Sequence, residues 1–424
     1  MPSAAATPTA SSTETDTSPY IVVSSDAHAG PSLERHFRPY CPEKYLPAFD
    51  DYVKTYRATI ASIPNGMILD ASAPAIQAYY ELLECDGLHD PHVFLRDMDT
   101  EGIAAQAIFA GGGNPESIPW SDGFNAGDPR VDAELRALGG HIWNQWLADF
   151  ASTGPGRLLG VMQIPIYDLP KAIEEVRWGK EHGLAAINFP APRDDYPPYN
   201  DPCYDPFWSA VAEADLPLVC HVGSGTRPGL AGPGAMMIYA VEMAFYSRRA
   251  VAQMIFGGVF DRHPRLRLGL VEQRAGWIPE QLRELDSCLL DPRRDYSYKP
   301  DRMPSEYWRD NCFVGCSFMA HFEAEMRHEI GLRTLLWGGD YPHVEGTWQR
   351  NDLALRKTFA GLPAGDVRAI LGDNAVRVYR LDAGLLRTVA DRIGPRPEEV
   401  DQPLAPEEVP VHKGQAFREF GPFA

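Results

Sequence analysis

Residues 21 to 30 read IVVSSDAHAG, a run that begins as an apolar strand and then sets Asp26 and His28 two residues apart. Successive strand side chains point to opposite faces, so these two leave the backbone on one side, with their heads close enough to share a small ion. A lone Asp-x-His triplet also suits a turn or a surface position, so its meaning depends on how the rest of the chain is built.

Short β-branched or apolar runs recur from Tyr20 onward, each followed by a polar turn and a segment of helical periodicity. The pattern predicts eight strands, at 21–26, 103–109, 158–164, 185–189, 217–222, 266–271, 312–317 and 334–339. Their near-continuous apolar character is what strands covered on both faces require. Helical segments lie between them, among them 131–150, 169–183 and 275–290. Eight strands alternating with helices predict an α/β fold, one (β/α)8 TIM barrel. Residues 1–18 are small, polar and free of an apolar centre, so they read as a disordered tail and not as a targeting peptide. The barrel is expected over 19–381, with a partly helical insertion at about 31–98 lying over its mouth. Tyr79, Tyr80, His89 and His92 are the insertion's candidates to reach that mouth. A Pro- and Glu-rich extension, 382–424, offers little to bury and is expected to be available to wrap a neighbouring subunit.

Composition narrows the function. The 424 residues are 44% hydrophobic, enough for a large core, yet no apolar run approaches the roughly 20 residues that span a bilayer. With 39 basic against 58 acidic residues the net charge is −19, which argues against nucleic acid or an anionic membrane as partner. The seven cysteines are odd in number and scattered through apolar strands, as expected of reduced thiols in a cytoplasm. Cys312 and Cys316 have a metal-like spacing, but buried packing is the better reading.

The polar strand ends line up. Strand 1 ends in Asp26 and His28, strand 5 in His221, strand 6 in Glu272 and strand 8 in Asp340, with His343 three residues on. All belong to the carboxyl rim, where barrel enzymes keep their chemistry. Singly, each has a plain structural reading: a core histidine, or a Glu272 paired with Arg248 or Arg274. Together, Asp26, His28, His221 and Asp340 point to a metal site, because a divalent ion neutralises carboxylates that are costly to bury.

The chain also resembles a known family. The phrases SSDAH, RDMDTEGI, NQWLADF, YDPFWSAVAEADLPLVCHVGSG, GGVFDRHPRLRLGLVE, WGGDYPHVEG and ILGDNAVRVYRL occur in order between about 20 and 381. They resemble the amidohydrolase superfamily, in the amidohydrolase-related branch of aminocarboxymuconate-semialdehyde, resorcylate and carboxyvanillate decarboxylases and dicarboxylate lactonases. The resemblance implies that Asp26 and His28 form the first metal pair, that His221 is the strand-5 ligand, and that Asp340 binds metal and moves a proton. One position departs: decarboxylases of this branch usually carry histidine where Glu272 stands. Glu272 is therefore either a general acid or base, tuned by burial, or a further ligand.

Asp26, His28, His221, Glu272, Asp340 and His343 would supply three imidazoles and three carboxylates, enough for one or two ions of Zn, Mn or Fe. His343 has a second role open to it, orienting Asp340 without binding metal. The leading expectation is a metal-dependent enzyme that hydrolyses or decarboxylates a small carboxylated or amide-bearing substrate, with Asp340, Glu272 and His343 as catalytic candidates. Arg227 and Arg274 are the candidates to hold a substrate carboxylate. The alternative is a dinuclear iron or iron–manganese oxygenase resembling the 2-aminoisobutyrate hydroxylase subgroup, which needs an electron donor. A third is an inactive metal-binding partner of a paralogous subunit; the resemblance otherwise implies a homo-oligomer.

Overall fold

A computed structural model describes residues 16–62, 85–111, 118–121, 131–225, 232–293, 296, 298–343, 345–410 and 415–417. Eight strands run parallel in chain order: β1 (Val23–Ala29), β2 (Ala105–Ala110), β3 (Leu158–Gln163), β4 (Ala186–Asn188), β5 (Leu218–His221), β6 (Leu268–Val271), β7 (Cys312–Ser317) and β8 (Leu335–Gly338). A bridge between Ala27 and Tyr341 joins the last strand to the first and closes the barrel. All eight expected strands are present, and every residue in them is buried.

Strand alternation divides that apolar surface into two cores. Val23, Ala107, Phe109, Leu159, Val161, Ala186, Val219, Val271, Phe313 and Leu336 pack into the barrel interior. The intervening residues, such as Leu158, Met162, Ile187, Leu218, Leu268 and Leu270, pack outward against the helices. Ala375, Val378, Tyr379 and Leu386 join the interior cluster and close its lower end. The approach there is tight, since a Cβ on Gly372 would come within 2.3 Å of the Ile21 carbonyl oxygen.

The insertion contains helices Leu46–Ser62 and Pro91–Thr100, the second capped by Asp90, which accepts from the His92 and Val93 amides. It meets the end of β1 where Gly30 donates to the Leu88 carbonyl, and the β8 loop where Tyr341 donates to Asp97 at 2.9 Å. These contacts lie at the carboxyl ends of β1 and β8. His89 lies against His36 with the ring centroids 4.7 Å apart and tilted by 31°, His92 is exposed, and Tyr79 and Tyr80 lie outside the described residues. So does the expected disordered tail, 1–18, apart from its last three residues.

The C-terminal extension, expected over 382–424, is described in part. Its described part folds back onto its own barrel through helix Ala383–Ile393, an Arg392–Asp99 ion pair, an Arg356–Glu408 ion pair, and Ala416 and Phe417 packed against Phe318. The prolines shape short turns, while the few apolar residues among them are the ones buried. The seven cysteines form no disulfide; Cys312 and Cys316 are buried packing residues of β7. No described helix is long and apolar enough to cross a membrane.

Two stability predictions follow from this packing. Gly372→Ala forces a methyl against backbone and should lower the unfolding free energy by about 2 kcal/mol in urea denaturation, an ordinary overpacking cost. On the helix layer, His141 contacts Glu175 at 3.0 Å, and that hydrogen bond raises the imidazole above its ordinary 6.5 against the opposing effect of burial. A raised folded value means the bond's contribution is full below pH 6.5 and fades as pH rises through the folded value. The stability difference between wild type and His141→Gln should therefore shrink on that rise; a difference that grows with pH would contradict the assignment.

Candidate metal centre

The winding of one sheet brings all six sequence-predicted acidic and imidazole side chains to a single place. Asp26, His28, His221 and Glu272 offer ligand atoms that lie mutually within 4.8 Å; so do His28, Asp340 and His343, and so do Glu272, Asp340 and Glu345. The sets overlap through His28, Glu272 and Asp340, giving four carboxylates and three imidazoles in one continuous cluster. Glu345 was missed by sequence reasoning. Its signal was present in DYPHVEG, an acid two residues beyond His343 in the same loop, but loop direction is not legible from a strand pattern.

Each imidazole is oriented by a carbonyl. His28 Nδ1 donates to Ala110 O at 3.0 Å, His221 Nδ1 to Val222 O at 2.8 Å, and His343 Nε2 to Gly111 O at 2.9 Å. In each ring the other nitrogen is then a lone-pair donor aimed into the cluster. Ser317 Oγ donates to Asp26 Oδ2 at 2.5 Å, which turns Oδ1 toward His28 Nε2 at 3.6 Å and His221 Nε2 at 3.5 Å. Asp340 Oδ1 lies 3.1 Å from His28 Nε2 and 2.9 Å from His343 Nδ1, and Glu272 Oε2 lies 3.4 Å from His221 Nε2.

These approaches are close but badly directed. Asp26 Oδ1, His28 Nε2, both Asp340 oxygens and His343 Nδ1 are buried without a well-formed hydrogen bond. Buried polar atoms are normally satisfied, and each orphaned one costs about 1–3 kcal/mol. Atoms that converge without bonding one another are what a cation between them would satisfy, so the donor set fits a divalent metal on the structure's own evidence. Imidazole plus carboxylate donors suit Zn, Mn or Fe.

The local electrostatics agree. Burial, and then the charges of Asp340 and Asp26, push the Glu272 carboxyl well above the usual range. Burial also opposes ionisation of Asp340, but the His343 charge and contacts from His28 and His343 outweigh it and hold this carboxyl below its ordinary value. His343 is in turn raised: burial works against its charge, and Asp340 prevails. Burial and His343 together lower His28.

Backbone shape aims the two principal carboxylates. Glu272 and Asp340, each just past a strand, adopt left-handed φ angles of 55° and 54°. Residues with a Cβ avoid that region at a cost of about 1–2 kcal/mol, and such strain gathers at functional sites. Gly338 makes room beneath them, since a Cβ there would lie 2.7 Å from Ser317 Oγ and 3.2 Å from Asp26 Cβ.

The cluster opens on one side. Asp26, His28 and Asp340 are fully buried, whereas the Glu272 side chain is 14% exposed and His343 11%. Beyond Glu272 lies a cavity of about 530 Å³ lined in part by Arg248, Arg274, Phe245, Phe318 and Gln415. Arg274, a sequence candidate for substrate binding, lines that cavity, while Arg227 lies outside the described residues. Arg248, read from sequence as one possible partner of Glu272, instead contacts Gln273 and lies over the Trp277 ring at 4.4 Å. Burial, then the nearby Arg274, pulls it down to about 10.

Comparison with known proteins adds a family. Residues 115–381 match the family model described as Amidohydrolase. The gamma-resorcylate decarboxylase of Rhodococcus jostii (strain RHA1) is 26% identical over 324 residues, 72% of this chain and 92% of that protein. The protein of the same name from Rhizobium sp. (strain MTP-10005) is 27% identical over 269 residues, 58% of this chain and 75% of the relative. Among solved structures, 5-carboxyvanillate decarboxylase from Sphingomonas paucimobilis is similar in fold, with TM-score 0.60 at 19% identity over 86% of this chain and 100% of the other. So is a dihydroxybenzoic acid decarboxylase from Polaromonas sp. JS666 with bound manganese, with TM-score 0.56 at 18% identity over 86% of this chain and 99% of the other. The dinuclear oxygenase alternative finds no support among these relatives.

Removing the proposed ion should expose the cost of the cluster. Chelation is expected to lower the melting temperature by several degrees, and manganese to restore it, because an ion bound only by the folded state stabilises that state. Asp26→Asn should lose at least one metal equivalent by elemental analysis.

Proposed function

The chain belongs to the amidohydrolase family, and from that premise we propose that it is a metal-dependent decarboxylase of a small hydroxylated aromatic carboxylate. The observation that carries this reading is the cluster of seven convergent donors with orphaned atoms, opening at Glu272 into a cavity bearing arginine. The named relatives supply the substrate class, since they are decarboxylases of resorcylate and carboxyvanillate.

Asp26, His28, His221 and Glu272 would hold one ion, and Asp340, with His28 and His343 or with Glu272 and Glu345, a second. Charge favours two: four neighbouring carboxylates leave an excess of negative charge on a single divalent ion. The metal, when bound, polarises substrate oxygens and draws an anionic substrate into a buried site. Manganese is the expected metal, as in the Polaromonas relative.

The chain's own groups handle position and protons. Arg274 and Arg248 line the approach and attract a carboxylate, with Arg274 able to hold it bidentately. Departure of carbon dioxide leaves electron density at the ring carbon, which must gain a proton. Asp340, whose Oδ1 lies 2.9 Å from His343 Nδ1 and whose carboxyl is held below its ordinary value, is placed to relay that proton at its Oδ1 atom. Glu272 sits at the open edge, and its role divides between ligand and proton carrier.

The test is carbon dioxide release from 2,6-dihydroxybenzoate and 5-carboxyvanillate by manganese-loaded protein. Turnover of neither sinks the reading. Elemental analysis should find about two equivalents per chain. Asp340→Asn should cut kcat by roughly a thousandfold, within the ordinary range for a lost acid–base group, without changing the circular dichroism spectrum. Glu272→Gln resolves the remaining role: loss of one metal equivalent identifies a ligand, and full metal with lost turnover a proton carrier.

A further inference from the structure

The register of the barrel places a residue beside the metal centre that no strand-end motif announced. His28 on β1 pairs with Phe109 on β2. Continuing the printed registers, that row crosses Val161 on β3 and Ala186 on β4 and reaches β5 at residue 217, four short of His221. His28 and His221 nevertheless meet the same Asp26 oxygen. The level of the centre therefore climbs one residue per strand over four strands, as strand tilt in a closed barrel requires.

That climb can be checked on the far side. Carried on from His221 through Val271 and Gly315, it arrives at Ser317 on β7, and Ser317 does bond Asp26. Side chains from alternate strands share a barrel layer, four at a time. On β3 the same level falls on Gln163. The layer is therefore His28, Gln163, His221 and Ser317, three of which are already bound into the centre.

Gln163 has the direction and the burial that this placement needs. Leu159 and Val161, of the same alternation, face the barrel interior, as does Ala186 on β4. Gln163 Oε1 accepts from Asn188 Nδ2 at 3.3 Å, so both amides share that face. The residue is 3% exposed, and its Nε2 group has no hydrogen-bond partner among the described residues. Its backbone is clamped: Gln163 N donates to Asn144 Oδ1 at 2.7 Å, and Asn144 Nδ2 donates to Gln163 O at 2.8 Å and to Glu175 Oε1 at 2.6 Å. A fixed, buried amide thus has an unused donor in the same layer as unsatisfied metal-ligating atoms.

We propose that Gln163 is a substrate-positioning residue whose Nε2 donates a hydrogen bond to an oxygen of a carboxylate bound at the metal centre. The assignment rests on the metal-centre reading above and extends it to the β3 side, opposite the arginine-bearing cavity. A carboxylate oxygen is the acceptor that a lone amide donor beside a cation selects, because a hydrogen bond to a charged group is stronger than one to a neutral acceptor.

The experiment titrates acetate, as the simplest carboxylate, into the full chain loaded with manganese, with calorimetry as the readout and elemental analysis alongside. Wild type should bind acetate, and Gln163→Met, which keeps the volume and removes the donor, should bind it about tenfold more weakly with unchanged manganese content. Equal affinity in the two proteins, or no acetate binding by wild type, overturns the proposal and leaves a buried water as the amide's partner. Should the Met variant fail to fold, Gln163→Glu keeps an acceptor for Asn188 and turns the donor into an anion. It should then abolish acetate binding, and retained binding is equally fatal. The two readings fail separately: acetate discrimination without turnover of either aromatic acid removes the decarboxylase and keeps Gln163, while turnover with indifferent acetate binding does the reverse.

Discussion

Four carboxylates gathered in the dry end of a barrel are the constraint on which the rest of this structure depends. Asp26 and Asp340 have no solvent to share their charge, and their contacts with His28, His221 and His343 are close without being well directed. A protein interior does not tolerate such a group unless something else completes it. The carbonyls that orient the imidazoles, the serine that turns Asp26 and the glycine that leaves room beneath it all serve this one arrangement. Arg248 and Arg274 line the cavity on the open side, beyond Glu272.

The backbone carries part of the load. Glu272 and Asp340 occupy a left-handed conformation that side-chain-bearing residues avoid, and both belong to the cluster. A strand that simply continued would have sent these carboxylates along the barrel wall. Turning each chain sharply at its strand end trades local strain for convergence, and the surrounding packing sustains it.

Much of this was legible in the sequence, for a physical reason. Strands covered on both faces are apolar throughout, so the eight runs declared themselves, and a polar residue ending such a run is conspicuous against that background. Asp26, His28, His221, Glu272 and Asp340 were readable that way. Glu345 was not, because it belongs to a loop, where no periodicity fixes direction. Gln163 was hidden for another reason: it too ends a strand, but an amide carries no charge to mark it, and its level depends on register accumulated across four strands. In the extension after residue 381, whose composition offers little to bury, Ala416 and Phe417 pack against Phe318.

The closing seam of the barrel has a kinetic meaning. Ser25 Oγ bonds the Trp337 carbonyl across 312 residues of sequence, beside Asp26 on one strand and Asp340 on the loop of the other. First and last strands can meet only after the chain between them has largely ordered, since such distant pairing carries the greatest loop-closure entropy. An ion held jointly by both sides of that seam would act as a rivet on the slowest joint in the molecule, tying the lifetime of the folded ring to occupancy of its catalyst.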